Sequence, residues 1–330
     1  MFRIIVLVFL VGFAPLVSWA QNNATTLIGV LGCIREKQPV PAFTHYIDAK
    51  PDLCLWIGDN VYGDTKSVGL PALQESYKLL GQNSSFNILR KNTPYMATWD
   101  DHDFGLNDGG KLYPLKVDTR KEFISFWKIE KEIPEDRDGI YYAKTFKDHG
   151  HTYQVIMLDV RYNRDSIGSN GDVLGENQWK WLEGCLKEKA ELRFIVSGFQ
   201  ILLDKESGSE TWDNFSNARQ RLFNTINNSN AKGVVFLTGD QHYGEVCRLK
   251  NGIGYDAIEL QFCGLNQTEK PEFNSYRVST VATSLNSSAY IKINWEKSGT
   301  DLPHLLFKIY NTDNGGMELE YRINLSELGY

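Results

Sequence analysis

The sequence has no excess of positive charge. Lys and Arg total 35 against 41 Asp and Glu, a formal net charge of −6, so it offers no basic field to a polyanion and nucleic acid is not an expected partner. Repeats, low-complexity tracts and Pro/Gly-rich linkers are also missing, and only 10 prolines occur in 330 residues. With 42% hydrophobic residues the chain can bury a sizeable core. The expectation is one domain over 21–330 whose last ~45 residues form a β-rich tail.

Past residue 20 no apolar run is long enough to cross a bilayer, which takes about 20 residues. The N-terminus itself has Arg3, the apolar run Ile4 to Val17, and then Ser18-Trp19-Ala20. That is the layout of a secretory signal peptide over 1–20. The mature chain is therefore expected to be secreted or periplasmic, with no stable membrane span. Seven Asn-x-Ser/Thr acceptors occur, at Asn23, Asn83, Asn214, Asn227, Asn266, Asn286 and Asn324.

Cysteine is scarce and its count is odd. Of Cys33, Cys54, Cys185, Cys247 and Cys263, at least one lacks an intramolecular disulfide partner. Cys54 and Cys247 lie in apolar, strand-like runs and read as small buried side chains.

Short apolar, β-branched runs recur at Leu27–Leu31, Leu53–Ile57, Tyr95–Trp99, Tyr153–Leu158, Arg193–Val196 and Val234–Leu237. Helix-like stretches lie between them at Pro41–Ala49, Ala72–Leu80, Asp118–Ile129, Glu176–Glu188 and Ser216–Ile226. In the Glu176 stretch, Trp179, Leu182 and Leu186 make one apolar face. The last third reads as strands: Tyr255–Phe262, Tyr290–Trp295, Leu305–Tyr310 and Glu318–Ile323. The expected fold class is an α/β sandwich of two mixed β-sheets flanked by helices, its C-terminal strands completing the second sheet.

Polar residues follow directly on the apolar runs, where strands end and α/β folds bind ligands. GDNVYGD, residues 58–64, follows Leu53–Ile57 and places Asp59 just beyond a buried strand, where a carboxylate needs a partner or a cation. WDDHDFGLND, residues 99–108, packs acidic groups around His102, and no Lys or Arg lies between Lys91 and Lys111. A metal is the economical source of positive charge there. TGDQH, residues 238–242, adds Asp240 and His242. Cys33, after Leu27–Leu31 and Gly32, is either a packed thiol or a soft metal ligand, and Tyr62 is a candidate hard ligand.

In that order and after strands, these motifs resemble the PhoD-like (alkaline phosphatase D) branch of the calcineurin-type metallophosphatases. GxLGC before Cys33, LDVRYNRD at 158–165, LGENQWKWL at 174–182, VSGFQ at 196–200 and INLSEL at 323–328 support the resemblance. It implies a metallophosphatase fold and a phosphoric ester hydrolase acting on a small phosphate ester through a metal-activated hydroxide. The rival readings are a phosphodiesterase or phospholipase D-like activity and a non-catalytic secreted protein of the same fold. Carried over, Asp59 bridges two metals. Cys33, Asp59, Tyr62 and His242 suggest Fe(3+), while Asp59, Asp101 and Asp240 suit Ca(2+) or another divalent cation. Gln200 is a further carbonyl candidate. His102 becomes the acid over the substrate, Asp103 the holder of its ring with Asp100 equally available, and Arg161 either a group that neutralises substrate charge or one member of a structural ion pair.

Overall fold

A computed structural model describes residues 24–167 and 171–330; the signal-peptide reading of 1–20 and the Asn23 acceptor lie outside them. The first part of the chain runs β1 (Thr25–Leu31), α1 (Ala42–Ala49), β2 (Leu53–Trp56), α2 (Pro71–Gln82), α3 (Ser84–Asn92), β3 (Tyr95–Ala97), α4 (Asp101–Phe104) and α5 (Lys116–Trp127). It continues through β4 (Tyr142–Asp148), β5 (His151–Met157), α6 (Glu176–Leu186), β6 (Leu192–Ser197), α7 (Ser216–Asn228), β7 (Val234–Thr238), β8 (Gly244–Leu249) and β9 (Ala257–Phe262). It closes with β10 (Ser287–Asn294), β11 (His304–Asn311) and β12 (Met317–Asn324).

Two mixed sheets result, ordered β12-β11-β10-β1-β2-β3 and β4-β5-β6-β7-β9-β8. Strands β1, β2 and β3 are parallel, as are β5, β6, β7 and β9. A parallel strand needs a crossover, and α1 and α6 supply two of these. The sheet completed by the C-terminal strands is the one that β1 begins, because β10 lies antiparallel along the free edge of β1.

The buried parallel strands read as continuous apolar runs because both faces are covered. Val155, Met157, Phe194, Val196, Val235 and Leu237 point between the sheets and share a core with Leu55, Ile291 and Phe307. Their neighbours Ile156, Ile195 and Phe236 point outward and meet Trp179, Leu182 and Leu186 of α6 and Leu222 of α7. The expected apolar face of α6 is therefore the packed face. Each such aliphatic side chain contributes about 1.5–3 kcal/mol by burial. Among the described residues, no helix is long and apolar enough to cross a membrane.

Candidate metal centre

The carboxyl ends of β1, β2 and β7 converge, and the chain turns sharply at each. Cys33, Asp59, Asp240 and His242 all have positive φ, between 51° and 76°. For residues with a Cβ this left-handed backbone costs roughly 1–2 kcal/mol each, so the surrounding structure must enforce it. The β1 and β2 loops are zipped by Cys33 N–H to the Gly58 carbonyl (3.2 Å) and Ile34 N–H to the Asp59 carbonyl (2.8 Å). Gly58 permits the next approach, since a Cβ there would stand 2.7 Å from the Cβ of Asp100.

Asp59 is the hub. Its carboxylate accepts from the His102 N–H (3.3 Å) and the Tyr62 hydroxyl (3.4 Å). Burial, then Asp101 and the other nearby carboxylates, push its pKa well above the usual range. Burial and Asp100 do the same to Asp240. Burial is the largest influence on Asp101 and raises it, yet Arg161, His102 and the Asp108 N–H together outweigh it and hold Asp101 below its ordinary value. Asp100 Oδ2 and Asp101 Oδ1 are buried and accept no hydrogen bond.

Unsatisfied carboxylate oxygens facing one another are costly unless a cation takes them. One donor atom each from Asp59, Asp100, Asp101 and Asp240 lie within 4.8 Å of one another, and so do those of Cys33, Asp59 and His242. Tyr62 joins the second group, its hydroxyl 2.9 Å from Nε2 of His242. The donor set thus fits the implied pair of cations.

Three expectations are corrected. Cys33 is joined to Cys263 at the end of β9 by a disulfide, so its sulfur lacks the lone thiolate charge that binds a metal. Cys54, Cys185 and Cys247 are buried free thiols, as read for Cys54 and Cys247. Asp103 does not hold the His102 ring: it accepts from Asp100 N–H (2.6 Å), Asn60 N–H (3.1 Å), Asn60 Nδ2 (2.6 Å) and Asp59 N–H (3.3 Å). It fastens the β2 and β3 loops together, and burial pushes it up to about 7 against those donors.

Arg161 has no exposed side-chain surface and pairs with Asp100 (2.6 Å) and Glu210 (2.5 Å) beneath the site. Its charge serves those buried acids. Gln200 donates through its NH2 to Glu245 (2.7 Å) and Glu259 (3.3 Å), and its Oε1 is buried without a hydrogen-bond partner.

The ring of His102 is held by Asp64, whose Oδ2 lies 2.6 Å from Nδ1. Burial lowers the imidazole pKa, but the Asp64 hydrogen bond and the charges of Asp101, Asp64 and Asp100 outweigh it and raise it. The ring lies 4.2 Å from that of Tyr62. Asp64 closes GDNVYGD, so the motif held the partner while only its first Asp was read. Glu210 carried no comparable signal.

A two-sheet α/β scaffold with acidic and histidine groups at converging strand ends has the architecture of the metallophosphatases. The sequence profile of the PhoD-like phosphatases matches residues 28–299, and the chain belongs to that family. It is 22% identical over 250 residues to alkaline phosphatase D of Bacillus subtilis (strain 168), covering 61% of this chain and 43% of the relative. The chain thus spans less than half the length of that relative. A solved structure of PhoD superposes with a TM-score of 0.67 at 16% identity, covering 92% of this chain and 72% of that one. A purple acid phosphatase from yellow lupin (Lupinus luteus) seeds follows at 0.60 and 11%, covering 92% and 54%.

Proposed function

We propose that this chain is a secreted, metal-dependent phosphoesterase. The observation that supports it most is that Asp59 is common to all three groups of donors whose atoms lie within 4.8 Å of one another, the third being Asp59, Asp101 and His102. With Cys33 in a disulfide, Asp59, Tyr62 and His242 hold the first cation, and Asp59, Asp101 and Asp240 the second. A phenol and an imidazole beside a carboxylate suit Fe(3+), and the all-oxygen set suits Ca(2+) or another hard cation. Burial, Asp59 and other carboxylates raise the Tyr62 phenol well above its usual pKa, so only a strongly positive centre would displace its proton. Export is supported by the N-terminal twenty residues and fits the Cys33–Cys263 disulfide.

Bound cations would supply Lewis acidity and a water of lowered pKa. The chain's own residues do the rest. Asp59, fixed in a left-handed turn, sets the spacing of the two donor groups. His102 stands at the mouth, its side chain 19% exposed, with Nδ1 fixed on Asp64 and Nε2 left to give a proton to the leaving oxygen. Tyr62 packs beside the imidazole and limits its rotation.

The test is turnover of an aryl phosphate and its bis-aryl diester by wild type and His102→Ala. Loss of turnover by about 10²–10⁴-fold, with metal content unchanged, is expected from a missing general acid. Undiminished turnover in the variant removes His102 from the mechanism. A wild type that cleaves neither ester returns the chain to the non-catalytic reading.

A further inference from the structure

Arg35, two residues past Cys33, is exposed at the mouth of the site. An exposed arginine ordinarily keeps much of its side-chain freedom, but this one is braced at backbone and side chain. Its N–H donates to Asn266 Oδ1 (2.9 Å), while Asn266 Nδ2 donates to the carbonyls of Arg35 (3.1 Å) and Pro39 (3.2 Å). Both amide hydrogens of Asn266 are used in this bracket, which sets that acceptor apart from a free glycosylation site.

The side chain is held as firmly. Arg35 Nε donates to Gln267 Oε1, and Gln267 Nε2 lies 2.7 Å from Nε2 of His242. The guanidinium carbon stands 5.1 Å from the centroid of the Tyr62 ring. Its two terminal nitrogens meet no carboxylate among the described residues. Two neighbouring side chains and an aromatic face therefore hold a solvent-facing fork of N–H donors beside Tyr62 and His242. That is a preorganised anion-binding group.

Resting on the phosphoesterase reading, we propose that Arg35 binds the third terminal oxygen of a phosphate monoester and so makes the site prefer monoesters to diesters. A diester replaces that oxygen, and one negative charge, with a second ester group. The guanidinium fork gives most to the dianion and least to the diester. Arg161 cannot serve this purpose, being fully buried and paired with Asp100 and Glu210.

The experiment compares wild type with Arg35→Ala and Arg35→Lys, using an aryl monoester, its bis-aryl diester, and calorimetric titration with orthophosphate. For Arg35→Ala the monoester KM and the orthophosphate Kd should each rise about tenfold or more, the loss expected for a hydrogen bond to a charged group. kcat should change little and diester kinetics should hold. Lysine, a point charge without the fork, should recover part of the loss. Unchanged orthophosphate affinity, or equal losses on both esters, overturns the assignment. Should the wild type cleave neither ester, the phosphoesterase reading falls, and the orthophosphate titration still decides Arg35.

Discussion

His102 is tied to Asp64, and their 2.6 Å contact bridges the loop after β2 and the one-turn helix after β3. The pairing fixes Nδ1 of the imidazole. Together with the charges of Asp101, Asp64 and Asp100, it overcomes the effect of burial and raises the imidazole pKa. A raised histidine is protonated, and able to act as an acid, to higher pH, and it loses that ability as pH climbs through its pKa.

Asp64→Asn keeps the shape and removes the charge, so the His102 pKa falls. The alkaline limb of the kcat profile should then move to lower pH while the acid limb stays in place, as pH–rate measurements on the two proteins will show. An unmoved alkaline limb means that His102 is not the titrating acid.

Arg161 is predicted to be needed for folding rather than for substrate binding. Arg161→Met leaves Asp100 as a buried, unpaired acid and Glu210 with Arg164 alone (3.2 Å), and should cost about 3–5 kcal/mol of stability. Thermal unfolding reads this as a large drop in Tm. A variant of normal Tm with a raised KM would place Arg161 against the substrate instead.

Much of the site was legible because each motif follows directly on a strand: Asp59, Asp101, Asp240 and His242 were singled out by that placement, and the structure groups Asp101 and Asp240 with Asp59 on one side and His242 with Asp59 on the other. The hydrogen bonds among them were not legible. Asp103 lies next to His102 in sequence, but a one-turn helix turns its carboxylate back onto the N–H of Asp100, while Asp64, 38 residues away, reaches the ring. Only the tertiary approach of the two loops decides between them.

The fold shows the same division. Periodicity revealed α6 and α7, whose apolar faces pack on the sheet. It missed α3, where Asn83 caps through Phe86 N–H (3.0 Å). It also missed β4, an edge strand with much of its surface wet. The Cys33–Cys263 bond joins residues 230 apart, a pairing that cysteine counting leaves open.

That bond carries its own prediction. Alkylation of the unfolded, unreduced protein should label three cysteines, Cys54, Cys185 and Cys247, and reduction should expose Cys33 and Cys263. Peptide mapping checks this directly. Labelling of all five without reductant would return Cys33 to the donor group it shares with Asp59 and His242.

Asp59 is the residue proposed to join two cation sites. Elemental analysis of the purified wild type beside Asp59→Asn tests it most directly. The wild type should carry metal, iron with a second hard cation, and Asp59→Asn should lose both. A wild type that hydrolyses phosphate esters while carrying no metal would contradict it.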